Sequence, residues 1–208
     1  MKILFLSNNP SVSNPLYEWL KASGEDVVYD TEPITVDYIN RNSIEYVISY
    51  NYVHIIKRDV IALLPHRIIN LHISLLPYNR GSDPNIWSFI ENTPAGVTIH
   101  EIDDGIDTGG ILLQERIDFD PSKETLRSSY EKLHQMIQKL FKDNWYLLKS
   151  QGIKTEPNGE GTLHKKKEAH FFEPVLNYDD IVSEFLLKVQ ALNYAVGHSS
   201  KSTINTSE

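Results

Sequence analysis

Short apolar runs alternate along the chain with longer stretches in which apolar residues recur every three or four positions. The runs are Ile3–Leu6, Val27–Tyr29, Tyr46–Ser49, Ile68–Leu71, Val97–His100 and Ile111–Ile117. Their length and composition predict strands. The first four are continuous rather than alternating, as expected of strands covered on both faces. Helix signals lie between them near 14–23, 35–42, 57–64 and 84–92. This order predicts an α/β fold, a mostly parallel Rossmann-like sheet with helices on both faces. Ligands in such sheets bind beyond the carboxyl ends of the strands.

The clearest helix signal runs from Lys123 to Lys149. Leu126, Tyr130, Leu133, Ile137, Leu140, Phe141, Trp145 and Leu148 make one apolar stripe, with a start signal at Pro121-Ser122 and a stop at Gly152. Residues 1–152 thus read as the main unit. Thr155–Thr162, with Pro157, Gly159 and Gly161, reads as a loop. Apolar content returns over 163–195, with helical spacing from Ile181 to Leu192. Residues 153–208 are therefore expected to form a short C-terminal appendage, ending in a frayed polar tail from His198 to Glu208.

Composition narrows the classes. The chain has 208 residues, enough for one full core and a small addition. Its formal net charge of -8 argues against a nucleic-acid partner, because phosphate binding needs clustered Lys and Arg. The run Lys165-Lys166-Lys167 reads as a solvated loop. No apolar run is long enough to span a bilayer, and Ile3–Leu6 is too short for the core of a signal peptide. The absence of cysteine removes disulfides and thiolate chemistry and fits a reducing cytoplasm. No His pair has helical metal-ligand spacing, so no metal is expected. Gly-rich phosphate loops and the Gly-x-Ser-x-Gly elbow are missing, and the first turn, Ser7–Ser11, is polar without glycine.

Two segments can carry chemistry. In Ile69-Asn70-Leu71-His72-Ile73-Ser74-Leu75-Leu76-Pro77, the period of two sends Asn70 and His72 to one side as the strand leaves the sheet. An amide and an imidazole side by side suit a reaction that develops an oxyanion and moves a proton. The alternative, two polar residues tying down a loop, stays open on spacing alone. In His100-Glu101-Ile102-Asp103-Asp104-Gly105-Ile106-Asp107-Thr108-Gly109-Gly110, an acidic turn follows a strand, and its glycines permit close backbone approach. One carboxylate there could orient an imidazole or collect a proton from an amine. A solvated acidic turn is the other reading.

Taken together, the Asn-x-His with Ser-Leu-Leu-Pro and the acidic loop ending in Asp107-Thr108-Gly109 resemble the folate-dependent formyltransferase family. The resemblance covers roughly residues 44–118. It implies a 10-formyltetrahydrofolate donor, an amine acceptor and no metal. It implies Asn70, His72 and Asp107 as catalytic residues, the first two steadying an oxyanion and the third holding His72 or relaying the amine proton. It implies a folate site along Ile48–Ile56 and Ile102–Ile106, including Ile48, Tyr50, Ile55, Ile102, Asp103, Asp104 and Gly105. The stretch Arg80–Ser88 looks like that of sugar-nucleotide N-formyltransferases acting on dTDP-linked 4-amino-4,6-dideoxy sugars. That likeness implies an amino-sugar nucleotide as acceptor, with Ser74, Tyr78, Arg80, Asp83 and Trp87 near it. It also implies a cytoplasmic homodimer serving lipopolysaccharide or other surface polysaccharide assembly. Two alternatives remain from other classes: a 10-formyltetrahydrofolate hydrolase, and a non-catalytic folate- or nucleotide-binding module.

Overall fold

In the computed structural model, which describes residues 1–199, the six apolar runs become one sheet. Its strands are β1 (Lys2–Leu6), β2 (Asp26–Asp30), β3 (Tyr46–Tyr50), β4 (Ile68–His72), β6 (Ala95–Glu101) and β7 (Ile111–Ile117), and a short β5 (Arg80–Gly81) lies outside it. The sheet order is β2-β1-β3-β4-β6-β7. β1 pairs in parallel with β2 and β3, and β3 with β4. The last two pairings are antiparallel. The loop over 102–110 is too short for the crossover that a parallel β6–β7 pair would need.

Helices α1 (Pro10–Ala22), α2 (Val36–Asn42), α3 (Arg58–Leu63), α4 (Pro84–Ile90) and α5 (Leu126–Lys149) follow the expected order. α1 begins four residues ahead of the sequence expectation, because Pro10 occupies the first turn, where its missing N–H costs nothing. α5 begins later than Pro121-Ser122 suggested. Asp120 caps a turn there instead, its Oδ1 accepting from the Ser122 N–H and hydroxyl, and Thr125 and Ser128 form a reciprocal capping box.

Alternation along the strands divides the interior in two. Ile3 and Phe5, Tyr46, Ile48 and Tyr50, and Ile69 and Leu71 face α1 and the stripe Leu133, Ile137, Phe141 and Trp145 of α5. Leu4, Leu6, Val47 and Ile68 face the other way, against Ile39 of α2 and Val60 of α3. Asn70 and His72 share the parity of Ile68 and so leave β4 on the α2–α3 side.

Beyond α5 the chain folds back over β5. β8 (Leu163–His164) pairs in parallel with it, Arg80 opposite Leu163 and Gly81 opposite His164. Two 3-10 turns follow, and then α6 (Val182–Ser199). Phe172, Val182, Phe185 and Val189 bury against Ile86 and Trp87 of α4 and Leu126 of α5. α6 takes in His198 and Ser199; the rest of the expected polar tail lies outside the described residues.

Candidate active site

β4 ends inside a cleft of ≈ 770 Å³, formed by the loops after β1, β3, β4 and β6 and by the chain just beyond β8. Asn70, His72 and Asp107 meet on its floor. The Asn70 amide donates to Asp107 Oδ1 at 3.1 Å. His72, buried at 7% exposure, donates from Nε2 to the carbonyl of Asn79 at 3.1 Å. That contact leaves Nδ1 as the acceptor nitrogen of the neutral ring, and it faces Asp107 Oδ2 at 3.7 Å. The gap is too long for a direct hydrogen bond. Two acceptors so placed can share a proton donor brought between them.

Asn79 is held in turn. It is fully buried with φ 55°, and its N–H and side-chain amide donate to Thr162 Oγ1 (2.8 Å) and Thr93 Oγ1 (2.7 Å). The Asp107 carboxylate accepts the Gly81 N–H at 2.8 Å on Oδ2. Gly81 has φ +84°, and a Cβ there would stand 2.2 Å from the carbonyl oxygen of His164, so only glycine allows the β5–β8 pair to close at this point. Gly109 brings the acidic loop against β6, its Cβ position only 1.9 Å from the carbonyl oxygen of Glu101.

Electrostatics follow from this packing. Burial lowers the pKa of the His72 imidazole; Asp107 opposes that shift and His100 adds to it. His72 is accordingly neutral at pH 7. Burial alone would raise the Asp107 carboxyl, but His72, His100 and the Gly81 N–H hold it well below the usual carboxylate range. The pair is a neutral base beside a permanent anion.

A fourth polar residue joins the three. His100, 1% exposed, sits directly opposite Asn70 in the antiparallel ladder. Its Nδ1 donates to the Glu101 carbonyl at 2.7 Å. Its Nε2 lies 3.2 Å from the Asn70 amide nitrogen and 3.3 Å from Asp107 Oδ1. The sequence reading placed His100 only as a strand end. Its spacing from Asp107 carries no signal without the β4–β6 register. Asn158 was also missed. Its amide donates to the carbonyls of Asp107 (2.9 Å) and Gly109 (3.1 Å), and its Oδ1 accepts from Arg80 at 2.9 Å.

Ile55, Ile102, Asp103, Asp104 and Gly105 line the cleft, as does Asp83. Ile55 and Val53 are 80% and 68% exposed, an apolar rim beside Ile102 and Ile106 that fits a flat heteroaromatic group. Ile48 and Tyr50 lie outside the cleft lining. Both are fully buried on the α5 face of β3, and the Tyr50 hydroxyl bonds His134 Nδ1 at 2.6 Å. Ser74, Tyr78, Arg80 and Trp87 also lie outside the cleft lining. Ser74 is buried behind β4, where its carbonyl accepts from Thr98. Tyr78 is 37% exposed elsewhere on the surface. Arg80 clamps the loop after α5 through Asn158 and the Gly159 carbonyl. Trp87 stacks on His164, with ring centroids 4.0 Å apart and planes 8° off parallel. Among the described residues, no group of three or more His, Cys, Asp or Glu is placed to hold a metal, and no helix is long and apolar enough to cross a membrane.

An open α/β sheet with an amide, an imidazole and a carboxylate gathered at the mouth of a central strand can donate a hydrogen bond and accept a proton at one place. The chain matches the Formyl transferase family over residues 27–144 and belongs to that family. It is 37% identical to the formyltransferase PseJ of Anoxybacillus kamchatkensis, solved with UDP-4,6-dideoxy-4-formamido-L-AltNAc and tetrahydrofolate; the superposition has a TM-score of 0.82 and covers 89% of this chain and 97% of that one. It is 32% identical over 130 residues to the dTDP-4-amino-4,6-dideoxyglucose formyltransferase of Mycobacterium bovis, covering 62% of this chain and 55% of that protein. It is 45% identical over 78 residues to the methionyl-tRNA formyltransferase of Anaeromyxobacter dehalogenans, covering 36% of this chain and 25% of that protein. The matched region thus spans between a quarter and about half of these curated relatives.

Proposed function

We propose that the protein is an N-formyltransferase. Its donor is 10-formyltetrahydrofolate, and its acceptor is the amine of a 4-amino-4,6-dideoxy sugar carried on a nucleoside diphosphate. The observation that carries this reading is the convergence of Asn70, His72 and Asp107 on the floor of one cleft. Support for the acceptor comes from PseJ, solved with a 4-formamido-4,6-dideoxy sugar nucleotide, and from the mycobacterial relative named for dTDP-4-amino-4,6-dideoxyglucose.

The donor supplies an activated formyl carbon: the amine nitrogen bonds to it, the bond to folate N10 breaks, and one proton passes from the amine to N10. His72 Nδ1 and Asp107 Oδ2, two acceptors 3.7 Å apart, receive and hold that proton. The Asn70 amide, lying between Asp107 and His100 in the free protein, turns one N–H to the oxygen that becomes negative. The Gly81 N–H and the Asn79 carbonyl keep the carboxylate and imidazole oriented. Val53, Ile55 and Ile106 give the donor an apolar seat at the rim. Much of the acceleration then comes from holding amine and formyl carbon together, which makes the attack effectively intramolecular.

The test is incubation with 10-formyltetrahydrofolate and UDP- or dTDP-linked 4-amino-4,6-dideoxy sugars, reading the formamide by mass. Formation of the formamide supports the reading. No product from any member of the panel overturns it, and folate turnover without an amine would point to a hydrolase.

A further inference from the structure

We propose that Lys165 and Lys166 form an anion subsite that holds the diphosphate of the acceptor nucleotide; the inference rests on the sugar-nucleotide reading above. On sequence these residues read as a solvated run. The fold instead brings them to the edge of the cleft, where, among the described residues, they are the only Lys or Arg side chains in its lining.

Three observations point the same way. The first is availability. The neighbouring carboxylates Glu91 and Glu168 lie against His164, at 3.2 Å and 3.3 Å; Asp83 in the lining is within electrostatic reach of Lys166, but neither lysine makes a salt bridge among the described residues. The second is placement. His164 pairs with Gly81, its carbonyl accepts the Ser82 N–H at 2.9 Å, and its ring is stacked on the buried Trp87. Gly81 in turn contacts Asp107. The lysines therefore follow immediately after a residue locked to the reaction centre, so a group bound there has a set position relative to Asp107. The third is the charge elsewhere in the cleft. Asp103 and Asp104 line another part of it, Asp104 paired with Arg58 at 2.9 Å. In a chain of net charge -8, a diphosphate entering the cleft is repelled from that acidic loop and attracted to the Lys165–Lys166 edge. The cleft thus has an apolar and acidic side that suits a neutral pterin and a basic edge that suits phosphate.

Calorimetric titration of the full chain with UDP and dTDP tests this, with uridine, thymidine and 5-formyltetrahydrofolate as reference ligands. Wild type is expected to bind at least one nucleoside diphosphate more tightly than its nucleoside. The Lys165→Gln/Lys166→Gln double variant should lose roughly tenfold or more of that affinity, the size of a lost charge-assisted contact. The deficit should shrink as salt is raised, and affinity for 5-formyltetrahydrofolate should not change. The corresponding double arginine variant should keep the affinity. In turnover, KM for the sugar nucleotide should rise at unchanged kcat. Wild-type diphosphate affinity in the glutamine variant overturns the subsite while leaving the formyltransferase reading intact. A wild-type protein that binds neither diphosphate removes both.

Discussion

Replacing Asp107 by asparagine changes the centre with almost no change of shape. In the native site Oδ2 accepts the Gly81 N–H at 2.8 Å and Oδ1 accepts the Asn70 amide at 3.1 Å. An amide keeps one oxygen. Whichever of Gly81 or Asn70 it serves, the other N–H then faces an NH₂ group, and the negative charge beside His72 is gone. A hydrogen bond to a charged group contributes about 1.5–3 kcal/mol, and a positioned proton acceptor about 10²–10⁴ in rate. The expected outcome is a fall in kcat on the order of 10³ with little change in either KM, because the loss falls mainly on the transition state. Single-turnover formamide formation under saturating substrates measures it. The pH profile adds a signed check. Asp107 stays ionised through the assay range, and an acid limb set by His72 is expected below the ordinary histidine value of 6.5. Asp107 raises the His72 pKa, so removing its charge should move that limb to still lower pH. A variant with wild-type kcat, or an acid limb that moves upward, would refute the assignment.

Other outcomes follow from the same contacts. Asn158→Ala removes the donor to the Asp107 and Gly109 carbonyls and the acceptor for Arg80. At about 1 kcal/mol per neutral contact, kcat should fall roughly tenfold with the fold intact; Asn158→Asp, which sets a carboxylate against two carbonyls, should be worse than alanine. Gly81→Ala places a side chain at φ +84° and 2.2 Å from the His164 carbonyl, so it should both lower Tm and suppress turnover; wild-type Tm would contradict the close approach. His134 is buried and pushed down to about 4 from 6.5. The native state therefore resists binding a proton that the unfolded chain takes up below its own pKa. The stability of the neutral ring is fully present above pH 6.5 and is lost as pH falls toward 4, by up to about 3 kcal/mol. His134→Gln should flatten the pH dependence of unfolding in that window, and denaturant titrations at pH 7 and pH 4.5 compare the two proteins; equal slopes would count against this account.

The elements of the sheet were legible in the chain because each is a local pattern. Continuous apolar runs specify strands covered on both faces, and the stripe from Leu126 to Leu148 specifies a helix that must bury one side. The period of two in β4 was enough to put Asn70 and His72 on one side, and the glycine at 109 was enough to suggest a tight loop. Period alone does not say which face looks at the cleft. The family likeness points to Ile48 and Tyr50 at the folate site, while the packing of α5 on β3 turns their side chains into the core. Nor does it say which distant segments meet. His100 reaches Asn70 through the antiparallel register of β4 and β6, and Asn158 reaches Asp107 because the chain after α5 folds back on β5. That same return carries Lys165 and Lys166 from an unremarkable charged run to the edge of the cleft. Local periodicity selects an element and its buried side, and so it is written in neighbouring residues. The company a polar side chain keeps depends on how whole elements pack, and only the tertiary structure decides that.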